Sequence, residues 1–251
     1  MHVLSISSLL MLICSAGGAE QRGPVLLPKT WTVQEARPIE LRLVDEDLAG
    51  SVRLVVRSHG AQEQVPPASS GPGEPSKWQF TPTAGATYIF AAASEPPDNA
   101  SKPAPYHYEK LFMRAAPRGP QADSPETAQP SPSATVAFAQ RLELIPLVDP
   151  TGLHVGDDLP VLVKFEGDEL SNATVDLRCQ SSEDAAGERP GSTPPGQPDG
   201  PRAALRSNES GSVNIQITRA GVWTLSVEHR AAPRQYVATM SFVVAGTPTD
   251  K

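Results

Sequence analysis

Histidine is the residue type through which this chain could most readily hold a metal, so its placement comes first. Beyond residue 19 there are four, His59, His107, His154 and His229, and each is solitary. A transition-metal site needs imidazole, thiolate or carboxylate donors at a spacing that lets them converge on one ion. No His-x-His, His-x-x-x-His or Cys-x-x-Cys pair occurs. His154 sits in a turn just ahead of Asp157 and Asp158, and this trio is the nearest approach to a cation patch. His229 continues the spacing of Trp223, Leu225 and Val227, which puts it on the apolar side of its strand, where packing explains it more simply than ligation. The metal candidates are therefore His154, Asp157 and His229. His107, between Tyr106 and Tyr108, fits a binding surface and an exposed strand position equally well.

Other chemistries have less to stand on. Asp45-Glu46-Asp47 and Asp157-Asp158 lack the alternating oxygen ligands and glycine of a calcium loop and read as solvated strand ends. There is no Gly-x-Ser-x-Gly elbow, no His-Glu-x-x-His helix and no glycine-rich phosphate loop with its lysine. A Ser/His/Asp triad drawn from distant positions stays open, but nothing singles one out. A glycosidase needs paired carboxylates in an aromatic-lined cleft, and aromatics make up only 5% of the chain. The reading is a protein that is not an enzyme and has no catalytic residues.

Composition bounds the class. The 251 residues are 39% hydrophobic, enough for one large domain or two small ones, while 27 prolines imply long polar loops. A net charge of −7, with no clustered lysines or arginines, argues against a nucleic-acid partner. Val3 to Cys14 is nearly all apolar and is followed by Ser15-Ala16-Gly17-Gly18-Ala19. The small residues at 17 and 19 suit signal peptidase. The expectation is an export signal over 1–19, cleaved after Ala19, and a periplasmic or secreted protein. An apolar run of roughly 12 residues is too short to span a bilayer, so no stable membrane span remains after cleavage. Cleavage would leave Cys179 as the sole cysteine. It continues the alternation of Val175 and Leu177 and reads as a buried, inert thiol.

The elements that would position these residues have a period of two. Ile39, Leu41 and Leu43, then Val52, Leu54 and Val56, alternate with polar neighbours. Trp78–Phe80, Tyr88–Ala91 and Tyr106–Met113 are further strands. The C-terminal half is cleaner: Leu142–Leu147, then Leu159, Val161, Val163 and Phe165 on one face, a turn at Glu166-Gly167-Asp168, Ala173–Cys179, Val213–Ile217, Trp223–Val227 and Tyr236–Val244. The fold class is all-β, with two immunoglobulin- or transthyretin-like β-sandwich domains joined by a Pro/Ser-rich linker. Residues 20–114 form the first domain, with a disordered loop over 61–76, and 115–137 form the linker. Residues 138–246 form the second domain, with a disordered loop over 181–203.

The residues Leu142-Glu143-Leu144-Ile145-Pro146-Leu147-Val148-Asp149-Pro150, Leu153-His154-Val155-Gly156-Asp157, Val161 to Gly167 and Gly221-Val222-Trp223 to His229 resemble the second domain of a bacterial family of unknown function. Its members are described as NikM-like periplasmic components of nickel and cobalt uptake. Tyr106-His107-Tyr108-Glu109-Lys110-Leu111 resembles the strand that ends that family's first domain. The resemblance implies Ni2+ or Co2+ as the ion and an envelope protein or transporter component as the partner. The family's mature chain typically has a histidine near the cleavage site followed shortly by a tryptophan, whereas this one would begin Glu20-Gln21-Arg22-Gly23-Pro24, with Trp31 but no histidine. The expected function is an exported, non-catalytic binding or accessory protein linked to transition-metal uptake. The alternative is a cell-envelope structural or interaction module that binds a protein or polysaccharide.

Overall fold

The computed structural model describes residues 26–28, 33–34, 36–43, 51–58, 60–67, 77–82, 86–95, 105–116, 135–180 and 203–246. The expected signal segment, most of the linker, most of the loop after Cys179, and His59 lie outside these residues. The N-terminal half contributes β1 (Leu26–Pro28), β2 (Val33–Gln34), β3 (Ile39–Leu43), β4 (Ser51–Ser58), β5 (Ala61–Val65), β6 (Lys77–Phe80), β7 (Thr87–Glu95) and β8 (Tyr106–Ala116). The C-terminal half contributes β9 (Leu142–Pro146), a single 3-10 turn at Pro150–Gly152, β10 (Asp158–Phe165), β11 (Asp168–Glu169), β12 (Thr174–Gln180), β13 (Ala203–Arg206), β14 (Ser212–Gln216), β15 (Gly221–Ala231) and β16 (Arg234–Val244). Among the described residues no helix is long and apolar enough to cross a membrane.

The fold is all-β, and its sheets pack face to face as sandwiches. One nine-stranded sheet runs β13-β12-β15-β16-β8-β7-β4-β5, with β2 added to the end of β8. Strands of both halves therefore belong to one sheet, joined where β8 and β16 pair in parallel from Tyr106↔Tyr236 to Leu111↔Ser241. Alternation along β8 shows what each face does. Tyr106, Tyr108 and Phe112 enter a core with the C-terminal strands, including Leu144, Val161, Leu225 and Met240. Leu111, Met113 and Ala115 enter a second core with Ile39, Leu41, Leu54, Trp78 and Phe90. The four-stranded sheet of β9, β10, β11 and β14 supplies one core, and the three-stranded sheet of β1, β3 and β6 supplies the other. The two smaller sheets thus cover opposite faces of the long one.

Local sequence explains the turns. The β10–β11 hairpin closes on Phe165↔Asp168 with two left-handed residues, Glu166 at φ 52 and Gly167 at φ 93. A two-residue turn of this hand matches the twist of its strands and favours glycine at its second position. Two expectations are corrected. Residues 61–65, assigned to a disordered loop, are strand β5, paired with β4 from Leu54↔Val65 to Ser58↔Ala61. An edge strand buries little; Ala61, Gln62, Glu63 and Gln64 are exposed and only Val65 is buried, so no alternation marks it. The linker also starts later than residue 115. Ala115 is fully buried and its N–H donates to the Ala86 carbonyl at 2.9 Å, so the strand carries on through Ala116.

Gly221 opens β15 because nothing larger fits there. It lies at φ +138, and an added Cβ would stand 2.2 Å from the Gln180 carbonyl oxygen on β12. Both the backbone angle and the close approach to backbone require glycine. Gly221→Ala is expected to cost about 2 kcal/mol or more. Urea unfolding should show a lower midpoint at an unchanged slope, and a midpoint equal to wild type would refute this account.

Candidate functional site

The residues between β9 and β10, 147–157, form a loop at one end of the C-terminal sandwich. Its base is fixed by Asp149, which is buried. One carboxylate oxygen, Oδ1, accepts from the Thr151 N–H at 2.9 Å and the Thr151 hydroxyl at 2.8 Å. The other accepts from the Thr87 hydroxyl on β7 at 2.8 Å. The loop is therefore pinned to a strand of the other half. Leu147, Val148 and Val155 nevertheless stay exposed at 46%, 38% and 43%. With Val136 they are the exposed large hydrophobics among the described residues. The loop thus holds three apolar side chains in water beside a base fixed by hydrogen bonds.

The structure brings two of the three metal candidates together. The Asp157 carboxylate accepts from the His154 N–H at 2.8 Å, and the Asp157 N–H donates back to the His154 carbonyl at 3.1 Å. His154 Nδ1 lies 3.7 Å from Asp157 Oδ2, with both side chains largely in solvent. His229 is not brought to them. Its ring packs on Phe165, centroids 4.4 Å apart, at the far end of β10, whose eight residues span more than about 20 Å at ~3.3 Å per residue. Among the described residues no three His, Cys, Asp or Glu side chains gather around one point. The two donors at 154 and 157 fall short of the four of a structural site, so the described residues do not fit a resident Ni2+ or Co2+ centre. Asp157 acts as the fastener of a turn, and His229 as packing at a core edge.

The group that sequence reasoning missed is Lys110. It is 2% exposed, and its Nζ lies 2.5 Å from Glu143 Oε1 and 2.9 Å from the Leu144 carbonyl. Burial lowers its pKa to about 8, against the opposing pull of Glu143. The same Glu143 oxygen accepts from the Phe138 N–H at 2.5 Å. The Phe138 ring is covered by the Arg57 guanidinium at 4.2 Å and by Lys110 Nζ at 5.3 Å, while Arg57 donates to the Ala137 carbonyl at 3.1 Å. Residues 137–144 are thus strapped onto β4 and β8. The available signal was Lys110 at a core position of β8, in step with Tyr108 and Phe112, which demands a buried counter-charge.

Cys179 is 4% exposed, with its sulfur 3.9 Å from the Ala220 carbonyl. Burial pushes its thiol up to about 11, so thiolate is scarce near neutrality. The native protein should resist a thiol reagent at pH 8 and react only above about pH 10 or once unfolded. Rapid labelling of the native state at pH 8, read by mass, would contradict this. For the ion pair, Lys110→Met leaves a buried carboxylate unpaired and should cost about 3–5 kcal/mol. Lys110→Met with Glu143→Met should recover all but ~1–2 kcal/mol, the residue being the orphaned Phe138 N–H. Urea midpoints of these two variants, of Glu143→Met and of wild type measure the cycle, and a double variant no more stable than Lys110→Met would refute the pairing.

Comparison with known proteins adds a family and general likenesses. The family described as "Domain of unknown function (DUF4198)" matches residues 26–231. No curated protein matches the chain. Among solved structures, a segment of two fibronectin type-III domains from chicken tenascin is 9% identical, covering 87% of this chain and 96% of that one at a TM-score of 0.25. The full ectodomain (Ig1–Ig3) of mouse nectin-like molecule 4 is 12% identical, covering 92% and 66%, at 0.24. A Ca2+-stabilized adhesin that helps an Antarctic bacterium bind ice is 12% identical, covering 89% and 49%, at 0.28.

Proposed function

The chain belongs to the DUF4198 family, and from that premise we propose that it is an exported, non-catalytic binding module that engages an envelope protein. The observation that carries the reading is the 147–157 loop, where Leu147, Val148 and Val155 are exposed on a base fixed by Asp149. Apolar side chains presented on a rigid support lose little conformational entropy on contact, and their burial supplies the driving force. Export is supported by the apolar segment before residue 20. The association with nickel and cobalt uptake rests on the resemblance of the C-terminal half to NikM-like proteins. It enters as the identity of the partner, a transporter component, with the metal as that partner's cargo.

The test is cross-linking in intact cells with a photoreactive residue at position 148. One envelope protein should be captured by the wild-type loop. It should be lost when Leu147→Asp and Val155→Asp are combined, with the thermal midpoint unchanged. A transporter subunit as the captured protein supports the uptake link, and another envelope protein replaces that link. Capture that is indifferent to both substitutions would defeat the proposal.

A further inference from the structure

Along β8 the row Leu111, Met113 and Ala115 lies in the N-terminal core. Alternation continues that row backwards to Glu109 and His107. There the apolar filling stops, and a carboxylate takes a position where packing alone calls for an aliphatic side chain. Register gives Glu109 two neighbours, Ala92 on β7 and Thr239 on β16, and sets His107 opposite Ser94. Register partners point to the same face of a sheet, so these side chains come together. With Val52 of β4 they line one cleft of about 10 Å3.

The cleft has a buried floor and a half-open rim. Ala92, Ser94 and Glu109 are buried, while Val52, His107 and Thr239 are half-buried. Its room is that of a single water-sized group. Glu109 and His107 each take part in a further interaction, and the oxygen Glu109 Oε1 accepts no hydrogen bond. A buried carboxylate oxygen without a donor carries a desolvation cost that a hydrogen bond offsets. Lys110, the next residue, does not supply one, because its Nζ is committed on the other face of β8 to Glu143 and the Leu144 carbonyl. The Ser94 and Thr239 hydroxyls line the same cleft, and a hydroxyl keeps acceptor lone pairs even while it donates. The cleft thus gathers three oxygen acceptors, one of them anionic, in a space one group wide. A primary ammonium carries three N–H donors on a compact charge, and so matches it in number, size and sign.

We propose that this cleft, where β7, β8 and β16 meet, is a binding site for a primary ammonium group, held by Glu109, Ser94 and Thr239. A lysine side chain of a partner protein and a small free amine share this chemistry. A guanidinium is too wide for the space, and a quaternary ammonium has no N–H to donate. The chain's net charge of −7 favours the approach of a cation. Ser94 stands at the other end of β7 from Thr87, which holds the 147–157 loop, so the cleft is a second site and no part of that loop.

The test is titration of the full chain at constant ionic strength with methylammonium and with Nα-acetyl-lysine methylamide, followed through the His107 ring proton signals. Methylammonium should give a saturable shift, and tetramethylammonium, of the same charge but without an N–H, should give none. Glu109→Gln should weaken binding about tenfold or more, the equivalent of one charge-assisted hydrogen bond. Thr239→Val, which keeps the shape of a half-buried side chain, should weaken it about threefold or more. Glu228→Gln, on the neighbouring strand β15, should leave it unchanged. Saturation by both amines identifies a lysine side chain as an occupant, and saturation by methylammonium alone a small free amine; either supports the site. Absence of saturation with methylammonium, an equal response to tetramethylammonium, or equal weakening by Glu228→Gln would overturn it. Cross-linking at position 148 does not involve these residues, so the two proposals can fail separately.

Discussion

The buried ion pair between Lys110 and Glu143 is the constraint on which the arrangement of the two halves depends. An ammonium group cannot remain in an apolar core without a counter-charge. Lys110 finds its counter-charge on β9, a strand of the covering sheet from the other half. The pair therefore fixes where the four-stranded sheet sits over the junction of β8 and β16. Its remaining bonds, to the Leu144 carbonyl and the Phe138 N–H, extend that constraint along residues 137–144. The Asp149–Thr87 bond repeats the same logic at the next turn of the chain. In each case a polar group from after the linker satisfies one from before it. The 147–157 loop is placed by this docking, since it lies just beyond Asp149.

Much of the fold was legible in the sequence because half-buried strands write their period directly. The rows Leu159-Val161-Val163 and Trp223-Leu225-Val227 lie in the core as their spacing required, and the turn at Glu166-Gly167 is a tight hairpin. What alternation cannot encode is which strand pairs with which. The parallel union of Tyr106–Leu111 with Tyr236–Ser241 leaves no mark in either strand, since both faces of β8 are apolar or buried. Strand β5 escaped for the opposite reason, as a polar edge with one buried residue.

The site was legible only in fragments. His154 and Asp157 stand three apart and meet in a turn, as local spacing implied. His229 was readable as packing, and its partner is Phe165. The exposure of Leu147, Val148 and Val155 could not be inferred, because apolar residues beside a strand end read as its continuation. The meeting of Ser94, Glu109 and Thr239 at one cleft is a tertiary fact, made by three strands whose pairing order no local pattern records.

The β8–β16 junction has a consequence for the order of events after synthesis. Its partners are among the most distant in the chain, so their union carries a large loop-closure cost and belongs late in folding. Until β16 is available, the Tyr106–Leu111 edge of the first half offers unpaired backbone groups beside an uncovered row of tyrosines and a lysine with no counter-charge. An edge of that kind invites pairing with other chains. The first half is thus an unfinished product that β16 must complete, and the emergence of that strand, not of the first hundred residues, sets the moment at which this edge is closed.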